Sequence, residues 1–297
     1  MNTRDISAFI AVVDTGSIVQ AAATLHLTQP GVTRRVQSLE ALLGLELLDR
    51  QCKPLRPTAA GYEVYQKGRQ LLHAQADLLA LAHSDVDPAG ELRLGMPPFL
   101  AEVALTAPVD CLRERFPRLS LRIHAGWSSS LLEQVEQGLL DVTAAVYSEN
   151  TAPPSAMFAH PFSRQSIKVV ASPSLGLRTR VALKDLAGLP WVLSQSGCGM
   201  RSTLRRELEA QGLPCHVGVE AFGVDLQLSL VARGAGIGLV TADLLAASAY
   251  RDRLKVLSVS DFKIHVIGWL VHRALPPRLE APVALLLQQL KEVMAKR

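Results

Sequence analysis

The sequence predicts an N-terminal all-α unit built as a winged helix-turn-helix, a linker helix, and a C-terminal α/β domain of two lobes. Three observations predict it. Residues 17–40 carry two short helical patterns joined by a tight turn, and residues 58–84 carry a long one with apolar residues near heptad spacing. From Glu91 onward the pattern becomes strand–helix alternation. With 297 residues, 48% of them hydrophobic, the chain can fill two or three cores. The expected division is 1–58 for the helix-turn-helix unit (the motif itself 18–37), 59–88 for the linker, and 91–297 for the α/β domain.

The first helix, 4–14, places Ile6, Phe9, Ile10 and Val13 on one face. Ser17 is suited to cap the second, and Ala21, Ala22 and Leu25 give that helix a small, closely packable side. Thr28 caps the third, with Pro30 in the first turn, where a missing N–H costs little. Val32, Val36, Leu39 and Leu43 then form one buried stripe. Pro30, Thr33, Arg34 and Gln37 point the other way. A hydroxyl, a guanidinium and an amide on one face suit the reading of base edges in a major groove. Taken alone, the stretch equally fits an αα-hairpin inside any globular protein.

After Gly44, residues 45–58 read as two extended pieces around a polar tip containing Pro54, a wing that brings Arg50, Lys53 and Arg56 toward phosphates or a minor groove. The net charge of +4 does not make the N-terminal part basic: residues 1–90 hold eight Lys/Arg against nine Asp/Glu. The cations are instead concentrated between Arg34 and Arg69. So weak a total charge favours a dimer that adds two half-sites. The linker pattern runs to about Ser84. Its Tyr65, Leu71/Leu72, Leu78/Leu79 and Ala82, read as unattached to a local core, suggest a dimer seam. Asp87-Pro88-Ala89-Gly90 breaks the chain.

The wider run Phe9, Gly16-Ser17, Ala21-Ala22, Leu25, Gln29-Pro30, Val32-Thr33, Leu39-Glu40, Leu43-Gly44, Leu47-Leu48-Asp49-Arg50, Thr58 and Ala60-Gly61 closely resembles the N-terminal signature of LysR-type transcriptional regulators. The resemblance is dense over about sixty residues and looser to the C-terminus. Leu48 replaces a usual aromatic, Gly31 a usual alanine and Pro57 a usual leucine. What it implies is DNA contact through Gln29, Pro30, Thr33, Arg34, Gln37, Arg50, Lys53 and Arg56. It also implies a pseudo-palindromic double-stranded operator, a homodimer or homotetramer, a small-molecule effector, and RNA polymerase as a partner if the protein activates.

In the α/β part, strands are expected at 92–96, 119–124 and 142–147, with a helical stretch restarted at Pro108 and a helix at 130–138. This order predicts an open parallel sheet. Residues 160–172 cross to a second lobe with strands 191–193, 216–221 and 237–240 and helices 200–211 and 225–233. Residues 263–271 return, and 277–296 form a last helix. Lobe I is thus 91–160 with 266–297, and lobe II is 161–265. Two lobes with two crossings resemble the periplasmic-binding-protein-like effector domain of the LysR type.

No catalytic or metal constellation stands out, so neither an enzyme nor a cofactor is expected. Four scattered cysteines, Cys52, Cys111, Cys198 and Cys215, fit reduced thiols. No apolar run reaches membrane-span length, and Asp5 and Asp14 interrupt any leader-like stretch, which predicts a cytoplasmic protein without a membrane role. Ligands of open α/β sheets sit beyond the strands' carboxyl ends. Segments 96–100, 127–130, 194–198 and 222–225 fall there, which nominates Phe99, Ser128, Ser129, Ser130, Gln195, Ser196 and Phe222 for the effector. The alternatives are a redox-sensing regulator using Cys198, and a metabolite-binding protein or α/β enzyme without a DNA role.

Overall fold

The computed structural model describes residues 2–81 and 88–296, and the chain divides into two compact units, residues 1–85 with 137–139, and 86–136 with 140–297. In the N-terminal unit, α1 (Thr3–Thr15), α2 (Ile18–Thr24) and α3 (Gln29–Leu43) enclose a core of Ile6, Phe9, Val12, Ala21, Val32 and Val36. Capping sets their starts. The Ser17 hydroxyl accepts from the Gln20 N–H at 3.4 Å and the Thr28 hydroxyl from the Gly31 N–H at 3.3 Å. Val32, Val36 and Leu39 are buried as their spacing predicts, but Leu43 is 39% exposed because α3 ends there, at Gly44, beyond the core. Strands β1 (Leu48–Asp49) and β2 (Arg56–Pro57) pair antiparallel, Asp49 opposite Arg56, and form the wing.

The linker is α4 (Ala59–Leu81). Here the structure corrects the sequence reading: Tyr65, Leu71 and Leu72 pack on the helix-turn-helix core. That core is too small to close with three helices, so the first half of α4 completes it. Leu78 and Leu79, two turns beyond, are 68% and 62% exposed. Ala82, Ser84 and Asp87, named in the expected stripe and break, lie outside the described residues.

The second unit is built on one curled mixed sheet. Strand β3 (Gly90–Met96) leads into α5 (Pro98–Ala104) and α6 (Thr106–Arg115), followed by β4 (Leu119–Ala125), α7 (Ser128–Glu136) and β5 (Val142–Ser148). Then β6 (Phe158–Ala171) leads past β7 (Arg180–Val181) and α8 (Leu183–Leu186) to β8 (Trp191–Leu193), α9 (Gly199–Ala210) and β9 (Val217–Glu220). The chain continues through α10 (Val224–Ala232), β10 (Ile237–Thr241), α11 (Ala242–Ala247), β11 (Lys255–Val259) and β12 (His265–His272) to α12 (Pro277–Ala295). The sheet order is β4-β3-β5-β12-β6-β10-β8-β9, with β11 on β6 and β7 on β11.

As the βαβ pattern predicts, β4, β3 and β5 are parallel, and so are β10, β8 and β9. The two crossing strands are not: β12 is antiparallel to β5 and β6, and β6 to β10. The reason is topological. The chain leaves the first lobe along β6 and returns beside it along β12, in the opposite sense. The first nine residues of β6 face β12, while Ile167–Ala171 face β10, so one strand serves both lobes. Trp191, Val192, Leu239, Val170, Leu270 and Leu286 belong to the buried core that runs through both.

Candidate functional site

The first candidate surface is on α3. Gln29, Pro30, Arg34 and Gln37 are exposed and Thr33 is half-buried, all on the face opposite Val32 and Val36. The neighbouring cations differ in what holds them. Arg35 faces Asp5 at 3.8 Å, and Arg50 is paired with Glu40 at 2.9 Å. Glu40 also accepts from the Leu47 N–H at 3.0 Å, so this carboxylate pins the start of the wing. Arg34, Lys53 and Arg56 make no ion pair among the described residues. They are the cations of this surface whose charge is not neutralised by an ion pair, so they meet phosphates or bases without one having to break.

The second is a cleft in the α/β unit. The carboxyl ends of β5 and β10 arrive close together along β6: Ser148 pairs through Val266 with Gln165, and Thr241 pairs with Ile167. A cleft of about 230 Å³ opens at this end of β5. Ser128 and Ser129 at the start of α7 form one wall, and Val146, Tyr147, Ser148 and Thr151 form the floor. Gly197, with Gly199, Ser202, Thr203 and Arg206 of α9, forms the other wall. The Ser128 hydroxyl accepts from the Val146 N–H at 3.0 Å and so locks α7 to the strand. Gly199 is required: a Cβ there would lie 2.4 Å from the Val146 carbonyl oxygen, so only glycine lets α9 start against β5. The Arg206 Nη1 donates across the cleft to the Thr151 hydroxyl at 3.2 Å. Tyr147 has its phenol pushed up, first by burial and then by the charge of Glu136.

Of the nominated effector residues, Ser128 and Ser129 lie on this cleft. Ser130, Gln195, Ser196 and Phe222 are exposed outside its lining, Gln195 accepting from the Trp127 Nε1 at 3.5 Å. Phe99 is buried in the core. The α9 wall was not nominated. It was legible, since Gly199, Ser202, Thr203 and Arg206 recur at i, i+3, i+4 and i+7, one helix face.

Cys198 is the N-cap of α9 and is 2% exposed. Burial pushes its thiol up, against the N–H groups of Arg201 and Met200 and the Ser194 hydroxyl, which favour the thiolate. Among the described residues no cluster of three or more His, Cys, Asp or Glu could hold a metal, and no helix is long and apolar enough to cross a membrane.

Comparison with known proteins matches residues 3–62 to the family described as bacterial regulatory helix-turn-helix protein, lysR family, and residues 86–295 to the LysR substrate binding domain. A hydrogen peroxide-inducible genes activator of Pectobacterium carotovorum subsp. carotovorum is 26% identical over 255 residues, 85% of this chain and 83% of that protein. Among solved structures, a full-length OxyR variant from Pseudomonas aeruginosa shares the fold with a TM-score of 0.74 at 18% identity, covering 98% of this chain and 95% of that one. Full-length CbnR complexed with its target DNA gives 0.67 at 19%, covering 99% and 100%. The chain belongs to the LysR family of DNA-binding transcriptional regulators, with its helix-turn-helix unit followed by an effector-binding domain.

Proposed function

We propose that this regulator reads a pseudo-palindromic operator, as a homodimer or homotetramer in the cytoplasm, through Gln29, Pro30, Thr33, Arg34 and Gln37. Arg50, Lys53 and Arg56 of the wing contact the backbone, and a small effector in the cleft between α7, β5 and α9 sets the affinity. The observation that carries the reading is the exposed face of α3 with Arg34 unpaired beside the wing. Effector and operator need only a coupling of ~1–3 kcal/mol for the ligand to change occupancy several-fold. The cleft is bounded by both lobes, so a ligand there favours one lobe arrangement over another. No step of this function uses covalent chemistry.

A gel shift with the DNA flanking its own gene tests the reading. Wild-type protein is expected to retard a discrete fragment, and Arg34→Ala to retard it more weakly and with less selectivity. Equal retardation of every fragment by both proteins would leave only nonspecific binding.

A second reading, response to peroxide through Cys198, draws support from the amide N–H groups that face its sulfur. The burial of that thiol works against it.

A further inference from the structure

The arginines of α9 give the cleft a chemical preference. Arg201 is paired with Glu220 at 2.7 Å and donates to the Ser194 carbonyl at 2.9 Å. Arg205 is paired with Glu209 at 3.1 Å. Arg206, which lines the cleft, has no carboxylate partner among the described residues and is held by the neutral Thr151 hydroxyl. A guanidinium held only by a hydroxyl can accept an anion without an ion pair having to break.

The rest of the lining agrees. It contains no Asp or Glu, and seven of its eleven residues carry a hydroxyl. Of the nearby carboxylates, Glu149 is taken up by Arg164 at 2.7 and 3.1 Å, with His265 at 3.5 Å, while Glu136, outside the lining, acts on the Tyr147 phenol. The Ser202 and Thr203 hydroxyls donate to the Cys198 and Gly199 carbonyls, at 3.2 and 2.8 Å, which leaves their oxygens to accept from ligand hydroxyls. The volume, about 230 Å³, falls below the roughly 300–1,000 Å³ typical of drug-sized pockets.

We infer that the cleft takes a small monocarboxylate bearing hydroxyl groups, a hydroxy acid, with Arg206 as the group that accepts the carboxylate. The inference rests on the reading of this cleft as the effector site. Arg206 is the one cationic side chain among the lining residues, so it balances one carboxylate, whereas a phosphate dianion would leave one charge unpaired.

The test is thermal shift and calorimetric titration of the full chain with lactate, glycerate and gluconate, against glycerol, glucose and glycerol phosphate. At least one hydroxy acid is expected to raise the melting temperature and to bind roughly tenfold or more weakly to Arg206→Gln. Arg206 is exposed, so the free variant is expected to melt with the wild type. Ser202→Phe, which fills the cleft, is expected to abolish binding. Neutral polyols binding as well as their acids, glycerol phosphate binding better, unchanged affinity in Arg206→Gln, or no binding by any of the three acids would each overturn the inference. Binding that survives both Ser202→Phe and Arg206→Gln would remove the cleft reading itself.

Discussion

The Tyr65 hydroxyl of α4 donates to the Asp14 carboxylate near the end of α1 at 2.5 Å, and Arg69, one turn on, donates to the same hydroxyl at 3.1 Å. The Arg69 guanidinium also lies 5.6 Å from the centre of the tyrosine ring. On either side of this clasp the linker approaches too closely for a side chain: a Cβ at Gly61 would meet the Leu47 carbonyl oxygen at 2.0 Å, and one at Gly68 the Ile6 methyl at 2.8 Å. Two steric contacts fix the distance of α4 from the helix-turn-helix, and the polar clasp between them fixes its rotation.

Tyr65→Phe is therefore expected to cost about 1 kcal/mol, allowing for the partial exposure of the group. Urea unfolding measures it, with helix content unchanged. The pH dependence has a definite sign. The phenol is pushed up, first by burial and then by Asp14, so its contribution is fully present below the tyrosine range of about 10 and is lost as pH rises through the raised value. The gap between wild type and Tyr65→Phe should close in that alkaline window. A gap that stayed constant there would remove the clasp as its source.

Arg34 and Lys53 are expected to fail differently. Arg34→Ala should cost ~1–3 kcal/mol at the specific site and relax discrimination at one base pair. Lys53→Ala should weaken all sequences alike and reduce the salt slope by about one unit. Anisotropy titrations at several salt concentrations separate the two. An unchanged base preference in Arg34→Ala would mean that α3 enters the groove with another face.

The N-terminal unit was legible nearly residue by residue because its signals are local: Ser17 and Thr28 cap where their spacing says, and Pro30 stands in the first turn of α3. Parallel strands were legible from short apolar runs alternating with helical patterns. What stayed hidden depends on contacts distant in sequence. The two-residue strand β7 carries no periodicity of its own, and the antiparallel sense of β6 and β12 follows from where the chain re-enters. Tyr65, Leu71 and Leu72 have the spacing of a seam, and spacing alone cannot distinguish a partner chain from the protein's own first helix. At the cleft, Ser128 was found from its place after a strand. Arg206 lies two turns into a helix, where the same rule does not look.

The exposed end of the linker carries the next prediction. With Leu71 and Leu72 occupied by the local core, Leu78 and Leu79 are the members of the expected stripe left exposed for a second copy among the described residues. Leu78→Ser with Leu79→Ser is expected to shift the full chain toward a smaller assembly in light scattering and to weaken operator binding at low protein concentration. Folding of the helix-turn-helix core should be unaffected. An unchanged mass and unchanged binding would place the self-association elsewhere.

Cys198 separates the two readings of how the regulator is controlled. The thiolate is the nucleophile that attacks peroxide and alkylating agents, so reactivity follows thiolate fraction and access. Cys198 is buried and its thiol pushed up by that burial, whereas Cys52 and Cys111 are only partly buried. Iodoacetamide labelling of the native protein at neutral pH, read by mass spectrometry, is expected to modify Cys198 last, and all four cysteines only after denaturation. The same shift has a stability consequence. A thiol raised in the folded state adds stability that is complete below the unfolded thiol value, about 8.5, and lost as pH climbs from there through the folded value. Cys198→Ser should reduce that alkaline loss, leaving the part contributed by Cys52 and Cys215, whose thiols are also pushed up. Labelling of Cys198 ahead of Cys52 and Cys111 at neutral pH would mean that the helix amides outweigh burial, and the peroxide reading would displace the small-ligand one.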